Sequence, residues 1–405
     1  LSEKTQYYLQ LEENFGAHNY HPLPVVLEKA KGVFVWDVDG KKYYDFLSGY
    51  SAVNQGHCHP RIIDSLIEQS KKLTLTSRAF YNNVLGEYEK FATAYFGYDK
   101  LLPMNTGVEA VETAIKLCRR WAYDKKGIKD GEAKIIVCEN NFHGRTTTVI
   151  SFSTDAQSNK KFGPYTPGFI IIPYNDTIAL QKALEDKNVA GFLVEPIQGE
   201  AGVVVPDDGY LSKAKQLCEA YNVLFIADEI QTGLGRTGKM LACDHENVKP
   251  DILILGKALS GGVLPVSAVL CDDEIMLNIK PGEHGSTYGG NPLACAVATE
   301  SLKVLKEENM IANAAAMGKL FRDELEKLNS PFISVIRGKG LLNAIVIEHA
   351  NKEAAWDLCI ELKENGLIAK PTHGDKIRFA PPLIITRQQV LECIDIISDS
   401  LKCLQ

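Results

Sequence analysis

Short runs of apolar residues alternate along this chain with longer segments in which apolar positions recur every three to four residues. From about residue 100 the runs consist of β-branched and aliphatic residues, a pattern typical of strands that are buried on both faces of a sheet. Their alternation with helical segments predicts an α/β fold, with a mostly parallel central sheet wrapped by helices. The strands predicted in this way are Ala133–Cys138, Phe169–Pro173, Gly191–Val194, Val223–Ala227, Ile252–Leu255 and Val266–Leu270.

The N-terminal part of the chain shows polar–apolar alternation instead of continuous apolar runs. Two alternating segments, Gly32–Asp37 and Lys42–Phe46, flank the dipeptide Asp39-Gly40, which favours a two-residue turn between antiparallel strands. A segment of this length is too short to bury a core of its own. We therefore expect residues 1–45 to pack with another part of the chain.

Beyond about residue 300 helices and strands follow each other in a different order. The pattern predicts helix Leu302–Leu328, strand Leu341–Ile347, helix Ala354–Asn365, strand Lys376–Phe379 and helix Arg387–Leu401. This order indicates a smaller α+β domain. We expect a large domain over residues 46–295 and a small domain over residues 296–405, with the segment 1–45 packed against the small domain.

Composition narrows the class of protein. The chain has 405 residues, of which 45% are hydrophobic and 23% charged, as is usual for globular proteins. Its net charge of −7 does not supply the basic surface that nucleic-acid binding requires. No apolar stretch is long enough for a membrane span, and no targeting segment is evident.

Ten cysteines occur singly, which favours reduced thiols in the cytoplasm or the mitochondrial matrix. We expect no metal site, and His57-Cys58-His59 is interpreted as a turn before Pro60.

Two charged residues lie just after predicted strands, where α/β sheets bind ligands. Asp228 ends the run Val223–Ala227, and Lys257 follows Ile252–Leu255. Small residues surround Lys257, so a bulky group can approach it, and poor solvation favours the neutral amine that attacks a carbonyl. A buried carboxylate suits a pyridinium nitrogen. The pair predicts a pyridoxal phosphate site, although solvated or paired charges at strand ends are a common alternative.

A phosphate site is the next requirement of this interpretation. Asn105-Thr106-Gly107-Val108 opens a strong helical pattern over Glu109–Arg120, and free N–H groups at a helix N-terminus bind phosphate. An ordinary helix cap explains the same residues equally well. Ser286 and Thr287, in the glycine-rich stretch Gly285–Pro292, offer hydroxyl groups, with a plain turn as the alternative.

These segments closely resemble the class III, fold type I pyridoxal phosphate aminotransferases, from about Gly16 to residue 400. The resemblance rests on segments such as LSGYSAVNQGHCHP, MNTGVEAVETA, FHGRT, VEPIQGEAGVVVP, LFIADEIQTGLGRTG, GKALSGG and GEHGSTYGGNP. It implies a homodimer with active sites at the subunit interface. The full set resembles the branch of the family that takes L-ornithine as amine donor and 2-oxoglutarate as acceptor.

The resemblance also implies cofactor roles for individual residues. Lys257 would hold pyridoxal 5'-phosphate covalently and transfer the substrate proton, and Asp228 would pair with the ring nitrogen. Gln231 would bind the phenolic oxygen and Phe142 would stack on the ring. The phosphate would be bound by Thr106, Gly107 and Val108, and by Ser286 and Thr287 of the neighbouring subunit.

Substrate roles follow from the same resemblance. Arg145 would bind the α-carboxylate of ornithine, while Tyr20 and Tyr50 would direct its δ-amino group to the cofactor. Glu200 would mask Arg378 while ornithine is bound and release it for the carboxylate of 2-oxoglutarate. A removable carboxylate of this kind keeps the arginine from attracting the wrong end of ornithine. His143 stands where relatives often carry tryptophan, and we interpret it as a neighbour of Phe142 without a catalytic role.

Three other functions stay open at this point. Another ω-amino acid transaminase, acting on N-acetylornithine or 4-aminobutyrate, would share the same motifs. A nucleotide-dependent oxidoreductase would use Gly233–Gly238, which matches GxGxxG but neither directly follows a strand nor opens a clear helix. A non-catalytic scaffold of the same fold is disfavoured because Asp228, Gln231 and Lys257 are all present.

Overall fold

The computed structural model describes all residues from Leu1 to Gln405. Its centre is a seven-stranded sheet in the order β4-β10-β9-β8-β7-β5-β6. Strand β10 is antiparallel to both of its neighbours, and the pairs formed by the remaining strands are parallel. The prediction of a mostly parallel sheet is confirmed. The seven strands are β4 (Lys100–Met104), β5 (Lys134–Cys138), β6 (Phe169–Ile172), β7 (Val189–Val194), β8 (Leu224–Asp228), β9 (Ile252–Leu255) and β10 (Ser267–Cys271).

Strand β4 has no counterpart among the predicted strands. It lies at one edge of the sheet and contains Pro103. Proline cannot donate a backbone hydrogen bond, so it is tolerated at an edge but weakens the strand pattern in the sequence. The sheet therefore contains one strand more than the apolar runs predicted.

Helices cover both faces of this sheet. One face packs against α5, whose apolar side buries Ala110, Ile115 and Trp121. The other face packs against α8 and α9, so the central strands are buried on both sides. The helices are α1 (Glu3–Phe15), α2 (Ser48–Ser51), α3 (Pro60–Ser70), α4 (Leu85–Phe96), α5 (Gly107–Trp121), α6 (Thr147–Ile150), α7 (Ala156–Asn159), α8 (Thr177–Leu184), α9 (Tyr210–Ala220), α10 (Asp273–Met276), α11 (Pro292–Glu307), α12 (Met310–Lys327), α13 (Ala354–Glu364) and α14 (Arg387–Ser400).

Two four-stranded sheets are built from the chain ends. The first has the order β1-β2-β3-β13 and joins the N-terminal strands to a C-terminal one, since β13 pairs with β3 in parallel. The second has the order β11-β12-β15-β14. The division into segments 1–45, 46–295 and 296–405 stays a proposal about domain boundaries. The strands are β1 (Leu27–Lys31), β2 (Phe34–Asp37), β3 (Lys42–Asp45), β11 (Ile333–Lys339), β12 (Leu342–Ile347), β13 (Leu367–Ile368), β14 (Lys370–Thr372) and β15 (Lys376–Phe379).

The prediction of one long helix over Leu302–Leu328 is wrong. The structure has α11 and α12 in its place, and α11 begins ten residues earlier, at Pro292. Asn309 separates the two helices with a left-handed backbone, at φ 53°. Asparagine tolerates this conformation better than most residues. The apolar period runs through the break, which is why the pattern conceals it.

Both histidines of His57-Cys58-His59 are paired with carboxylates. His57 contacts Asp45 at 2.7 Å and His59 contacts Glu308 at 3.1 Å. No helix has the length and apolar character needed to cross a lipid bilayer. All ten cysteines are free thiols, and only Cys58 and Cys403 are exposed.

Candidate active site

Asp228 and Lys257 lie at the same rim of the central sheet. Strands β8 and β9 are parallel neighbours, so Asp228 at the end of β8 stands close to the segment that follows β9. Both side chains line one cavity of about 250 Å³, together with Gly107, Phe142 and Gln231. A second cavity of about 400 Å³ shares Lys257 and Gly107 with the first. The strand-end argument therefore placed the two residues correctly in space.

The environment of Lys257 favours an uncharged amine. Burial and the positive charge of Arg378 lower its pKa to about 8, although Asp228, Glu200 and Glu195 act in the opposite direction. An amine with such a pKa is partly neutral near pH 7 and can attack an aldehyde or accept a proton. The backbone of Lys257 is left-handed, at φ 44°, which is a strained conformation of the kind found at functional sites.

Asp228 is buried and held from two directions. Its Oδ1 atom accepts a hydrogen bond from the backbone N–H of Ile230 at 3.1 Å. Its Oδ2 atom lies 2.6 Å from Nδ1 of His143. The carboxylate is therefore fixed in orientation while still lining the cavity.

The N-terminus of α5 opens onto the same cavity. Thr106 caps the helix through a capping box, in which its N–H donates to Glu109 at 2.6 Å and its hydroxyl accepts from Glu109 N–H at 3.4 Å. The N–H groups of Gly107 and Val108 have no partner within a helix, and both residues line the cavity. A Cβ atom at Gly107 would meet Ile230 at 3.0 Å. The segment is thus a helix cap whose first N–H groups suit the close approach of an anion.

Phe142 and Gln231 complete the cavity wall. The backbone N–H of Phe142 donates to Glu195 at 2.8 Å, which fixes the loop after β5. Gln231 packs directly against Gly199, where any Cβ atom would overlap its side chain. The sequence interpretation gave Glu195 no role, although its place after the buried strand β7 was a usable signal.

On the side toward the C-terminal sheets, Arg378 and Glu200 form an ion pair with Nη1 and Oε2 3.0 Å apart. The Nε atom of Arg378 is buried without a hydrogen-bond partner. The ring of Tyr50 lies under its guanidinium, 5.0 Å away, and Arg145 lies 5.5 Å from the ring of Phe142. Burial raises the pKa of Tyr50, with smaller effects from Arg378, Glu200, Tyr20 and Arg145, so these five side chains share one electrostatic environment.

Seven of the predicted site residues do not line these two cavities: Tyr20, Tyr50, Arg145, Glu200, Ser286, Thr287 and Arg378. Three of the seven also lie apart from the Arg378 ion pair. Tyr20 is 69% exposed, and Thr287 is exposed on its loop. Ser286 accepts a hydrogen bond from Asn105 at 2.8 Å. This contact brings its loop near the N-terminus of α5 without placing its hydroxyl in the cavity wall.

The site as a whole suits pyridoxal phosphate. A buried amine of lowered pKa and a fixed carboxylate line one cavity, with an aromatic wall beside them. Free N–H groups at the start of α5 match the phosphate, and the unpartnered Arg378 Nε matches a carboxylate. The residues present therefore fit the group.

Comparison with known proteins gives a consistent result. The model of the family described as aminotransferase class-III matches residues 15–401. The mitochondrial ornithine aminotransferase of Rattus norvegicus is 61% identical, covering 98% of this chain and 90% of the relative. The crystal structure of the ornithine aminotransferase of Toxoplasma gondii ME49 superposes with a TM-score of 0.97 at 50% identity, covering 100% of this chain and 96% of the other. The acetylornithine aminotransferase of Elizabethkingia anophelis superposes with a TM-score of 0.91 at 58% identity, covering 98% and 99%.

Proposed function

This chain belongs to the aminotransferase class-III family, and we propose that it transfers the δ-amino group of L-ornithine to 2-oxoglutarate with pyridoxal 5'-phosphate as cofactor. The products are glutamate and glutamate 5-semialdehyde, which cyclises to pyrroline-5-carboxylate. The observation that carries the proposal is the masked arginine, Arg378 paired with Glu200 at 3.0 Å beside the cavity of Lys257. Such a pair allows one site to take two substrates with different carboxylates in turn.

Bound pyridoxal phosphate supplies an electron-withdrawing ring that stabilises negative charge on the substrate carbon. Lys257 would hold it covalently through Nζ, and the same amine, when free, would carry a proton to or from the substrate carbon. Asp228 pairs with the ring nitrogen. Gln231 binds the phenolic oxygen and Phe142 covers one ring face. Both residues line the cavity with Asp228 and Lys257.

The phosphate is bound by the start of α5. Thr106 caps the helix, and the N–H groups of Gly107 and Val108 point outward from its first turn. The positive end of the helix adds a favourable field for a dianion. These residues would hold the phosphate group beside Lys257, since Gly107 and Lys257 line the same cavities.

Ornithine is oriented by groups at the outer edge of the cavity. Arg145 binds its α-carboxylate, because a guanidinium pairs with a carboxylate through two parallel hydrogen bonds. Tyr50, packed against Arg378, and Tyr20 direct the δ-amino group toward Lys257. During this half of the reaction Glu200 neutralises Arg378.

In the half-reaction with 2-oxoglutarate, Arg378 is no longer paired with Glu200. When Glu200 withdraws, Arg378 offers Nη1 and the unpartnered Nε to the α-carboxylate of 2-oxoglutarate. Arg378 is therefore free to pair with a ligand carboxylate only in the half-reaction that uses 2-oxoglutarate.

The active unit is a homodimer in this proposal. Ser286 and Thr287 would reach the phosphate of the neighbouring subunit, which accords with the exposure of Thr287 and its absence from the cavity of its own chain. The compartment is the mitochondrial matrix or the cytoplasm, and the name of the rat relative includes the word mitochondrial.

A second candidate is transamination of N-acetylornithine, favoured by the similarity to the Elizabethkingia anophelis enzyme of that name. Steady-state turnover with L-ornithine, N-acetylornithine and 4-aminobutyrate, each with 2-oxoglutarate, separates these functions. We expect the highest kcat/KM with L-ornithine. A higher kcat/KM with N-acetylornithine would assign the chain to the second candidate.

A further inference from the structure

A second arginine, Arg337 of β11, lies on the same face of its sheet as Arg378 of β15. Arg337 pairs with Ala344 of β12, and Ala344 pairs in turn with Arg378. Residues directly opposite one another in an antiparallel sheet point to the same face, and neighbouring strands lie about 4.8 Å apart. The two arginines are therefore attached to the sheet about 10 Å apart, with only the methyl group of Ala344 on the strand between them.

The loop that carries Glu200 contacts both arginines. The carbonyl oxygen of Gly199 accepts a hydrogen bond from Nη1 of Arg378 at 3.5 Å. The carbonyl oxygen of Gly202 accepts one from Nε of Arg337 at 2.8 Å. Glu200 lies between these two contacts along the chain, and its carboxylate is paired with Arg378. Glu200 is therefore placed between two guanidinium groups that are both bound to its own loop.

Arg337 has no carboxylate partner. Its one hydrogen bond is the contact with Gly202, and its Nη2 atom is buried without a partner. Burial lowers the pKa of Arg337, while the charge of Asp375 acts in the opposite direction. Asp375 itself is paired with Lys376. A guanidinium that is partly withdrawn from water and unpaired is stabilised when a carboxylate reaches it.

A cavity of about 360 Å³ beside Arg337 gives Glu200 room to move. Glu200 and Arg337 both form part of its wall. The side chain of Glu200 is 31% exposed and that of Arg378 only 6%, so the carboxylate lies on the outer side of the ion pair. The charged and titratable residues in the cavity wall are Asp155, Glu200, Arg337, His373 and Lys376. Basic groups outnumber the acidic ones, which favours a carboxylate in this space.

Gly202 allows the loop to lie directly on Arg337. Its backbone has φ 98°, and a Cβ atom there would meet Cδ of Lys376 at 2.4 Å and Nη2 of Arg337 at 3.1 Å. Glycine alone combines this backbone conformation with the absence of a side chain. The position keeps the Arg337 guanidinium close to the residue two places earlier in the loop, which is Glu200.

We propose that Arg337 is a positioning residue that receives the carboxylate of Glu200 when Glu200 leaves Arg378 for an incoming dicarboxylate. The nitrogens Nη1 and Nη2 of Arg337 replace the ion pair that Glu200 gives up, so the displaced carboxylate is not left unpaired. The inference rests on the proposed function, because it takes Glu200 to release Arg378 for 2-oxoglutarate. Arg337 acts through Glu200 and contacts neither substrate nor cofactor.

The kinetic test compares the wild type with Arg337→Met, Arg337→Lys and Lys339→Met in separate single-turnover measurements of the two half-reactions. Methionine removes the charge of Arg337, whereas lysine keeps it. Lys339 lies two residues further along the same strand and contacts Asp208 at 3.7 Å, outside the cavity wall. Lys339→Met is therefore the control for the loss of one positive charge from this strand.

We expect Arg337→Met to lower kcat/KM for 2-oxoglutarate by about tenfold to a hundredfold, the range for losing a hydrogen bond to a charged group. Its kcat/KM for L-ornithine should stay within about twofold of wild type, because Glu200 remains on Arg378 in that half-reaction. Arg337→Lys and Lys339→Met should stay within about threefold in both half-reactions. Equal losses in the two half-reactions of Arg337→Met would indicate a purely structural role and overturn the inference.

The same substitution in a Glu200→Gln background separates the proposed role from direct ligand binding. Without the Glu200 carboxylate there is no group for Arg337 to receive. Arg337→Met should then change kcat/KM for 2-oxoglutarate by less than about twofold. An equally large loss in both backgrounds would mean that Arg337 acts on the ligand itself, and would overturn the inference.

A crystal structure of the cofactor-loaded wild type with glutarate, which is 2-oxoglutarate without its keto group, tests the contact without any variant. We expect an oxygen of Glu200 about 3 Å from Nη1 or Nη2 of Arg337. A Glu200 side chain directed to solvent while glutarate is bound to Arg378 would overturn the inference, even if Arg337→Met does not fold. A wild type that does not transaminate L-ornithine with 2-oxoglutarate would overturn the proposed function instead, so the two failures are distinct.

Discussion

Arg378 and Glu200 form an ion pair 3.0 Å long at the edge of the Lys257 cavity, and the guanidinium is almost fully buried. Glu200 is anchored on its other side, since its Oε1 atom accepts from the hydroxyl of Thr372 at 3.3 Å. The pair thus has a defined resting geometry. A carboxylate ligand can replace Glu200 as the partner of Arg378 without leaving the arginine unpaired.

Glu200→Gln should reduce the selectivity between the two substrates. The neutral amide leaves Arg378 available throughout, so KM for 2-oxoglutarate should fall, while kcat/KM for L-ornithine falls by about tenfold because its α-carboxylate is drawn to the wrong arginine. Separate single-turnover measurements of the two half-reactions check this. Glu200→Asp keeps the charge and serves as control, and an unchanged ratio of the two kcat/KM values in Glu200→Gln would contradict the masking role.

The rate of cofactor uptake should depend on pH through Lys257. Its pKa is lowered to about 8, so below that pH the amine is protonated and does not attack the aldehyde, and above it the neutral form predominates. The rate at which cofactor-free protein takes up pyridoxal phosphate should rise up to about pH 8 and then level off. An ordinary lysine would continue to gain reactivity toward pH 10.5.

Arg378→Met provides the matched control for this pH profile. The positive charge of Arg378 helps to lower the pKa of Lys257, so its removal should shift the rise to higher pH. An unchanged pH profile in Arg378→Met would show that the charge of Arg378 does not affect the pKa of Lys257.

Mixed dimers test whether Thr287 serves the neighbouring subunit. Lys257→Ala and Thr287→Asp homodimers should both be inactive, the second because an added carboxylate repels the phosphate. Random mixing should restore about a quarter of wild-type activity, since half of the dimers are hybrid and each hybrid has one intact site. No recovery on mixing would place Thr287 in the site of its own chain.

Gly144→Ala should destabilise the protein at the site. Gly144 has φ 125°, and a Cβ atom there would overlap the side chain of Val108 in the first turn of α5. Backbone strain and overpacking together should cost about 2 to 4 kcal/mol of unfolding free energy, measured by chemical denaturation. Gly127→Ala is the control, since Gly127 has φ 79° with nothing within 4 Å, and it should cost only about 1 kcal/mol.

The sequence was sufficient to place Asp228 and Lys257 because parallel strands end at the same rim, and both follow unbroken apolar runs. The sequence was insufficient where the hydrophobic pattern does not mark an element or its end. Pro103 concealed an edge strand, and the helical period continued across the break at Asn309. The contact of His143 with Asp228 joins residues 85 positions apart, and no local pattern encodes this meeting of a loop with the end of a strand. The place of Glu195 directly after a buried strand was a usable signal, but its contact with the N–H of Phe142 is visible only in the structure.

The visible spectrum of the purified protein, recorded before and after L-ornithine and then 2-oxoglutarate are added, tests the central claim most directly. The account predicts a yellow protein whose colour fades with L-ornithine and returns with 2-oxoglutarate, and a Lys257→Ala variant that folds but lacks the cycle. A wild-type spectrum that carries the cofactor's absorbance yet is unaffected by L-ornithine would contradict the assignment of the amine donor. The full cycle in Lys257→Ala would contradict the role of that lysine.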